Sequence, residues 1–158
     1  MMPIIQPVVL EPSRYAGEWF EVASHKDGFY GLGQNDCTDT RGIYEYDSEH
    51  DQFLVTTQCR HLNGRVSGIR GIVKCPKKGR NCTLRFPTAP FVAPAQYRIL
   101  ETDYTSYSLV EGASDKSFVQ IYSRYPRPGN EFIDSMRARL KVWGYDPNKI
   151  HVTPVTVD

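Results

Sequence analysis

Short segments of strand character, each bounded by turn-forming residues, run from residue 17 to residue 124 and constrain the fold more than any other feature. These segments cover residues 17–26, 40–46, 52–61, 65–75, 82–86, 95–102, 106–111 and 117–124. Turn signals such as Asn63-Gly64 and Lys78-Gly79 separate them, mostly in hairpin order. Because eight antiparallel strands can avoid exposed edges by closing on themselves, we predict an all-β, eight-stranded antiparallel up-and-down β-barrel.

The alternation stops at residues 130–143, where apolar residues recur at helical spacing. Asn130 is a suitable N-cap for a helix, and Gly144 is a suitable stop. The pattern predicts one C-terminal α-helix packed against the outside of the barrel, followed by a last strand within residues 149–156. The apolar stripe of the helix consists of Phe132, Ile133, Met136, Leu140 and Trp143.

The length, charge and hydropathy of the chain limit its domain count and the partners it can have. A length of 158 residues fits a single domain over residues 1–158, with its core at about residues 12–155. The net charge is +1, from 19 basic and 18 acidic residues, so we expect no nucleic-acid partner. No run approaches the roughly 20 apolar residues that a spanning helix needs.

The first ten residues are apolar, but they contain Pro3 and Pro7 and no basic segment, so they do not resemble a signal peptide. The cysteine content favours a secreted protein or another oxidising compartment. A cytoplasmic location is the alternative that the missing signal segment favours.

Four cysteines allow three disulfide connectivities. Cys75 and Cys82 flank a six-residue hairpin tip and fall on the same strand parity, which favours a Cys75–Cys82 bond. Cys37 and Cys59 are then left to pair across the preceding hairpin. Four reduced, buried thiols are the alternative, and the absence of a CxxC pair argues against a zinc knuckle.

Three segments, in order along the chain, resemble the signature motifs of the lipocalins. They lie at residues 14–23, around Gly17-Glu18-Trp19, at residues 99–104, ending in Thr102-Asp103-Tyr104, and at residues 121–126, around Ser123-Arg124. The resemblance covers nearly the whole chain and is strongest to the branch that contains bacterial lipocalins and apolipoprotein D. It implies the same eight-stranded barrel and a cavity for a hydrophobic molecule.

The resemblance gives the motif residues structural roles at the closed end of the barrel. It implies that Trp19 plugs this end and that Arg124 packs across the indole ring as a cation–π contact. Gly17 lets the entering backbone approach closely. The residues with such structural roles are Gly17, Trp19, Thr102, Asp103, Tyr104 and Arg124.

Cargo binding is expected in the interior and at the other end. Alternation counted from Trp19 along the first strand points Glu21 and Ala23 inward. The full set of predicted inward residues is largely apolar and aromatic, with a few polar groups, and suits a hydrophobic molecule with a limited polar end. The inward positions that the resemblance adds are Tyr44, Val55, Thr57, Ile69, Val73, Leu84, Phe86, Tyr97, Ile99, Phe118, Gln120 and Tyr122.

Some of these positions have a structural alternative. Val73, Leu84 and Ile99 could fill a closed core. Glu21 would need a partner if it is buried, and a salt bridge near the barrel floor is as good an interpretation of it as a ligand contact.

The register of one hairpin also leaves an alternative. Placing Tyr44 and Val55 on the same face requires a bulge in the hairpin at residues 47–51, and without it these positions would be off by one.

The Gly-rich stretch at residues 27–36 is expected at the open mouth, where Phe29 and Tyr30 could cap the ligand. Phe91 and Val92, in a Pro-flanked loop, form the opposite rim. An oligomer contact is the alternative role for this apolar rim. We expect contact of the mouth with a membrane or lipid surface, and a monomer or weak homodimer.

The preferred function is a carrier that transports or sequesters a fatty acid, lysolipid, retinoid, sterol or pigment. We expect no catalytic activity, cofactor or metal, since no catalytic motif is present and the four histidines lack ligand spacing. One alternative is an enzyme acting on a lipid or pigment through Cys37 or Glu21. Another is a protein-interaction module that displays its loops on a filled barrel.

Overall fold

The computed structural model describes residues 10–26, 38–76, 81–89, 91 and 93–156, and these form one antiparallel sheet and two helices. The strands are β1 (Gly17–Lys26), β2 (Thr38–Asp47), β3 (Gln52–Arg60), β4 (Val66–Lys74), β5 (Asn81–Arg85), β6 (Ala95–Thr102), β7 (Tyr107–Ala113), β8 (Phe118–Ser123) and β9 (His151–Val152). The helices are α1 (Pro12–Tyr15) and α2 (Asn130–Val142), and residues Pro147–Lys149 form a 3₁₀ turn.

The first eight strands close into a barrel. Each of β2 to β8 pairs antiparallel with its neighbour in sequence, and β1 completes the ring by pairing with both β8 and β2. β9 lies outside this ring and pairs with β1 at Ala23 and Ser24. The predicted eight-stranded up-and-down barrel is confirmed, with one more strand outside it.

A bulge in β1 reverses the direction of its second half. Glu21 lies opposite Tyr122 and Ala23 opposite Ile121, so Val22 is the extra residue between two registers. The prediction that Ala23 points inward is therefore wrong, because Ala23 packs with Ile121 on the outer face. The same shift turns Lys26, at the end of β1, into the barrel interior.

The β2–β3 hairpin needs no bulge at its turn. Its register is unbroken from the pair Arg41 and Gln58 to the pair Asp47 and Gln52, and Tyr44 lies directly opposite Val55. The predicted bulge at residues 47–51 is therefore wrong, since a four-residue turn keeps the two side chains on one face.

α2 covers the outer face of the barrel, as predicted. Ile133, Met136 and Leu140 are buried against an outer cluster that includes Leu100 and Leu109. None of the described helices has the length and apolarity needed to cross a membrane.

The N-cap of α2 is Gly129 and not the predicted Asn130, which is the first helical residue. Gly129 has a φ of 95°, a value that glycine adopts without strain, and its carbonyl accepts the first helical hydrogen bond from Ile133 N. The one-turn helix α1 was not predicted. It leads directly into β1 and buries Tyr15.

Candidate functional site

The barrel encloses a cavity of about 370 Å³, so its own side chains do not fill it. At one end Tyr15 and Trp19 are fully buried and close the interior. The cavity reaches the other end, where Lys26 is the last residue of β1 and Phe118 the first residue of β8. We call these the closed end and the open end.

Most of the sequence-predicted ligand positions line this cavity. Ile99 is buried in the interior cluster without lining the cavity. Glu21 lies opposite Tyr122, on the inner side of β1 as predicted, and is buried without lining the cavity. Phe29, Tyr30 and the rim residue Val92 lie outside the described residues, and Phe91 is exposed in the β5–β6 loop. The predicted residues on the cavity wall are Tyr44, Val55, Thr57, Ile69, Val73, Leu84, Phe86, Tyr97, Phe118, Gln120 and Tyr122.

The sequence reasoning missed the remaining wall residues. Continuing the alternation of β4, β6 and β7 through small residues would have found several of them, because Gly71 follows Ile69 and Ala95 precedes Tyr97 at a spacing of two. No local signal marks Lys26, whose position depends on the β1 bulge. The missed wall residues are Lys26, Thr40, Gly71, Ala93, Ala95, Gln96, Val110 and Gly112.

Four tyrosines form a cluster between the cavity and the closed end. The hydroxyl of Tyr97 lies 2.5 Å from that of Tyr44 and 3.5 Å from that of Tyr15, which also bonds the Ser108 hydroxyl at 2.9 Å. Tyr122 completes this tyrosine cluster and is buried like the others.

Burial keeps the hydroxyls of the tyrosine cluster neutral, because it disfavours the phenolate. It raises the pKa of Tyr15 to about 12 and raises the pKa values of Tyr44, Tyr97 and Tyr122. The part of the cavity next to the closed end is therefore walled by aromatic rings, whose hydroxyl groups are largely hydrogen-bonded to one another.

Lys26, on the cavity wall, forms an ion pair with Glu21. Lys26 Nζ is 2.5 Å from Glu21 Oε1, which also accepts a hydrogen bond from Gln120 Nε2 at 2.9 Å. Glu21 Oε2 accepts from the Thr153 hydroxyl at 2.8 Å. Since Glu21 is only 1% exposed, these partners compensate the cost of burying its charge. The salt-bridge interpretation of Glu21 is therefore correct.

Arg124 holds the closed end together. Its guanidinium carbon lies 3.7 Å from the centre of the Trp19 ring, as the resemblance implied. The guanidinium donates to the carbonyls of Glu18 and Tyr104 at 2.9 and 3.0 Å. Gly17 has a φ of 108°, and a Cβ there would lie 3.0 Å from Arg124 Nη1.

The β6–β7 turn at the closed end is organised by Asp103. Its carboxylate accepts hydrogen bonds from the backbone N–H groups of Thr105, Ser106 and Tyr107 and from the Ser106 hydroxyl. Partial burial raises the pKa of Asp103, but these hydrogen bonds outweigh burial and bring it below its usual value. Thr102 completes the turn by donating to the carbonyl of Tyr107.

The cysteines are bonded where the structure describes them. Cys75 and Cys82 form the predicted disulfide across the β4–β5 hairpin. Cys59 is also disulfide-bonded. Its predicted partner, Cys37, lies outside the described residues.

Among the described residues, one group of side chains is arranged as metal ligands could be. Ligand atoms of Asp47, Glu49 and His50 lie within 4.8 Å of one another in the β2–β3 turn. His50 Nδ1 is 2.8 Å from Asp47 Oδ2 there. Exposed side chains of this kind form ordinary turn hydrogen bonds without a metal.

A family model described as a lipocalin-like domain matches residues 10–155 of the chain. The chain belongs to the lipocalin family. Among its relatives is the chloroplastic lipocalin of Arabidopsis thaliana, 46% identical over 162 residues. That alignment covers 91% of this lipocalin and 46% of the relative, so the chain spans less than half of the relative's length.

Solved structures show the same fold. Insecticyanin from the tobacco hornworm Manduca sexta superimposes with a TM-score of 0.75 at 20% identity, covering 99% of this lipocalin and 87% of that chain. Lobster apocrustacyanin A1 superimposes with a TM-score of 0.71 at 20% identity, covering 92% of this lipocalin and 79% of that chain.

Proposed function

We propose that this lipocalin binds a small hydrophobic molecule inside its barrel and carries or sequesters it. The observation that supports this most is the cavity of about 370 Å³, whose wall is mainly aliphatic and aromatic. Ligand pockets of proteins have volumes of about 300–1,000 Å³ and a few placed polar groups. Fatty acids, lysolipids, retinoids, sterols and pigments are the ligand classes we consider.

The energetics of such a cavity favour binding. Each Å² of apolar surface removed from water contributes about 25 cal/mol, before the losses of ligand freedom are subtracted. The tyrosine cluster adds rigid aromatic walls at the inner end of the cavity. The predicted wall residues are our proposed ligand contacts, and Phe29 and Tyr30 stay predictions for the mouth.

We propose binding without catalysis. Both carboxylate oxygens of Glu21, one of the two residues considered for an enzyme, accept hydrogen bonds within the protein. Such an arrangement supports a structural or positioning role for this carboxylate.

We also propose that the protein works in an oxidising compartment, because such compartments preserve disulfides like Cys75–Cys82. Secretion fits this proposal, and the Arabidopsis relative is a chloroplastic lipocalin by name. The finer resemblance to the bacterial lipocalin and apolipoprotein D branch stays a prediction from the motif residues.

Contact of the open end with a lipid surface and a monomeric or weakly dimeric state also stay predictions. Leu62 in the β3–β4 turn and Phe91 in the β5–β6 loop are 85% and 87% exposed at that end. Apolar side chains on loop tips suit a lipid surface.

The test is displacement of the neutral dye Nile red by a panel of these ligand classes. The matched variants are Thr57→Trp, which adds an indole ring to the cavity wall, and Thr56→Trp, which adds it to the opposite face of the same strand. We expect saturable displacement in the wild type and Thr56→Trp, and its loss in Thr57→Trp. No displacement by any class, or equal displacement in all three proteins, would contradict the proposal.

A further inference from the structure

The ion pair of Lys26 and Glu21 gives the cavity wall a polar position whose net charge is zero. Among the described residues that line the cavity, Lys26 is the one that carries a charge at neutral pH. Its side chain is 23% exposed, whereas that of Glu21 is 1% exposed. The cation therefore faces the ligand space, and its counter-ion belongs to the protein.

Glu21 has three donors within the protein, and its pair with Lys26 leaves two N–H groups of the ammonium available. Its two oxygens already accept from Lys26, Gln120 and Thr153. A lysine ammonium carries three N–H donors, and Glu21 occupies one of them. Lys26 can therefore donate to an oxygen of a bound molecule without giving up its ion pair.

A second anion at this position would be poorly compensated. An ionised carboxylate on the ligand would approach one cation that a buried carboxylate already neutralises, at 2.5 Å. The ligand charge would lose its hydration and gain a counter-charge that it must share with Glu21. A hydroxyl, carbonyl or ester oxygen would accept the same hydrogen bond at a much smaller desolvation cost.

From this we infer the ligand class: a lipid whose polar end carries an uncharged oxygen acceptor, such as an alcohol, ketone or ester, is bound in preference to one that ends in a free carboxylate. The inference rests on the proposed function and makes Glu21 the residue that sets this preference. Lys26 is the group that contacts the ligand oxygen.

The test compares stearyl alcohol with stearic acid, two ligands with the same chain, as competitors of Nile red at about pH 8, where the carboxyl group is ionised. The ratio of the two affinities is measured in the wild type, Glu21→Gln, Lys26→Met and Glu18→Gln. Glu18 pairs with Arg41 on the outside of the barrel, so Glu18→Gln makes the same charge change away from the cavity. Because each ratio is taken within one protein, partial unfolding of a variant does not alter it.

We expect the wild type and Glu18→Gln to prefer the alcohol by about tenfold, a factor equivalent to about one hydrogen bond to a charged group. Glu21→Gln should abolish or reverse this preference, because Lys26 then lacks its counter-ion. Lys26→Met should increase it, because Glu21 then repels the acid.

Binding of both ligands at equal affinity, with a ratio that Glu21→Gln leaves unchanged, would overturn the inference while the proposed function stands. Failure of both these ligands and of the wider panel to displace the dye would instead contradict the proposed function.

Discussion

Replacing Arg124 by methionine tests how the closed end is held. Methionine keeps an unbranched apolar stem but removes the guanidinium, which lies 3.7 Å from the centre of the Trp19 ring. The same change removes hydrogen bonds to the carbonyls of Glu18 and Tyr104. Arg124 Nη2 also donates to the carbonyls of residues 14–16. The bond to residue 14 is exposed, so water can replace it, and the carbonyl of Tyr15 keeps its hydrogen bond from Trp19 Nε1.

These contacts set the size of the effect. The cation–π contact contributes about 1 kcal/mol at a partly exposed site. The hydrogen bonds to Glu18 and Tyr104 add about 1 kcal/mol each, since their loss leaves part-buried carbonyls without a donor. The free energy of unfolding should therefore fall by about 3 kcal/mol. For a chain of this size that corresponds to a Tm lower by about 6–12 °C.

The assay is urea unfolding followed by circular dichroism, with Arg139→Met as the matched control. Arg139 also lies over an aromatic ring, that of Tyr107, but at 5.4 Å and with half of its side chain exposed. Its replacement should cost less than about 1 kcal/mol. Equal losses for the two variants, or a loss below about 1 kcal/mol for Arg124→Met, would refute this account of the closed end.

Other perturbations probe the backbone, the disulfide and the tyrosine cluster. Gly17→Ala should destabilise the fold by about 1–3 kcal/mol in urea unfolding, because of the φ of 108° and the 3.0 Å approach of the new Cβ to Arg124; a neutral effect would contradict this. The double variant Cys75→Ser/Cys82→Ser should cost about 2–3 kcal/mol, as expected for a bond with a sequence separation of 7; an unchanged urea midpoint would be inconsistent with that estimate. Because burial raises the pKa of Tyr15 from 10.0 to about 12, the native state disfavours the phenolate. This stabilisation is complete below pH 10 and should be lost as the pH rises towards about 12. Alkaline unfolding monitored by tyrosinate absorbance checks it, and ionisation of every tyrosine near pH 10 without unfolding would contradict it.

The barrel could be predicted because its signals are local. Alternating residues and turn-forming residues placed the eight strands and the hairpin order of β2 to β8 within a few residues. The inward direction of Tyr44, Tyr97 and Tyr122 followed from the resemblance, and the structure brings them to one wall. α2 was predicted from its stripe for the same reason, whereas α1, with only one turn, has no periodicity to detect.

The cavity wall near the open end was less predictable, because one bulge in β1 decides which of its residues point inward. Nothing in the sequence around Val22 marks an extra residue, and the shift becomes evident only when β1 is paired with β8. The alternation rule therefore turned Ala23 inward and missed Lys26, the charged residue of the wall. The last predicted strand, residues 149–156, shortens to His151–Val152. Beyond it only single backbone hydrogen bonds continue among the described residues, from Thr153 N to the carbonyl of Val22 and from Asp39 N to the carbonyl of Pro154.

Native mass spectrometry tests the central claim, binding of a hydrophobic molecule in the barrel, most directly. The wild type, Thr57→Trp and Thr56→Trp would each be offered the same lipid extract, and any bound molecule would be released with organic solvent and identified. We predict a one-to-one adduct in the wild type and Thr56→Trp, and its loss in Thr57→Trp, whose new side chain occupies the cavity. A bare protein mass in all three, or an adduct that Thr57→Trp retains in full, would contradict the account.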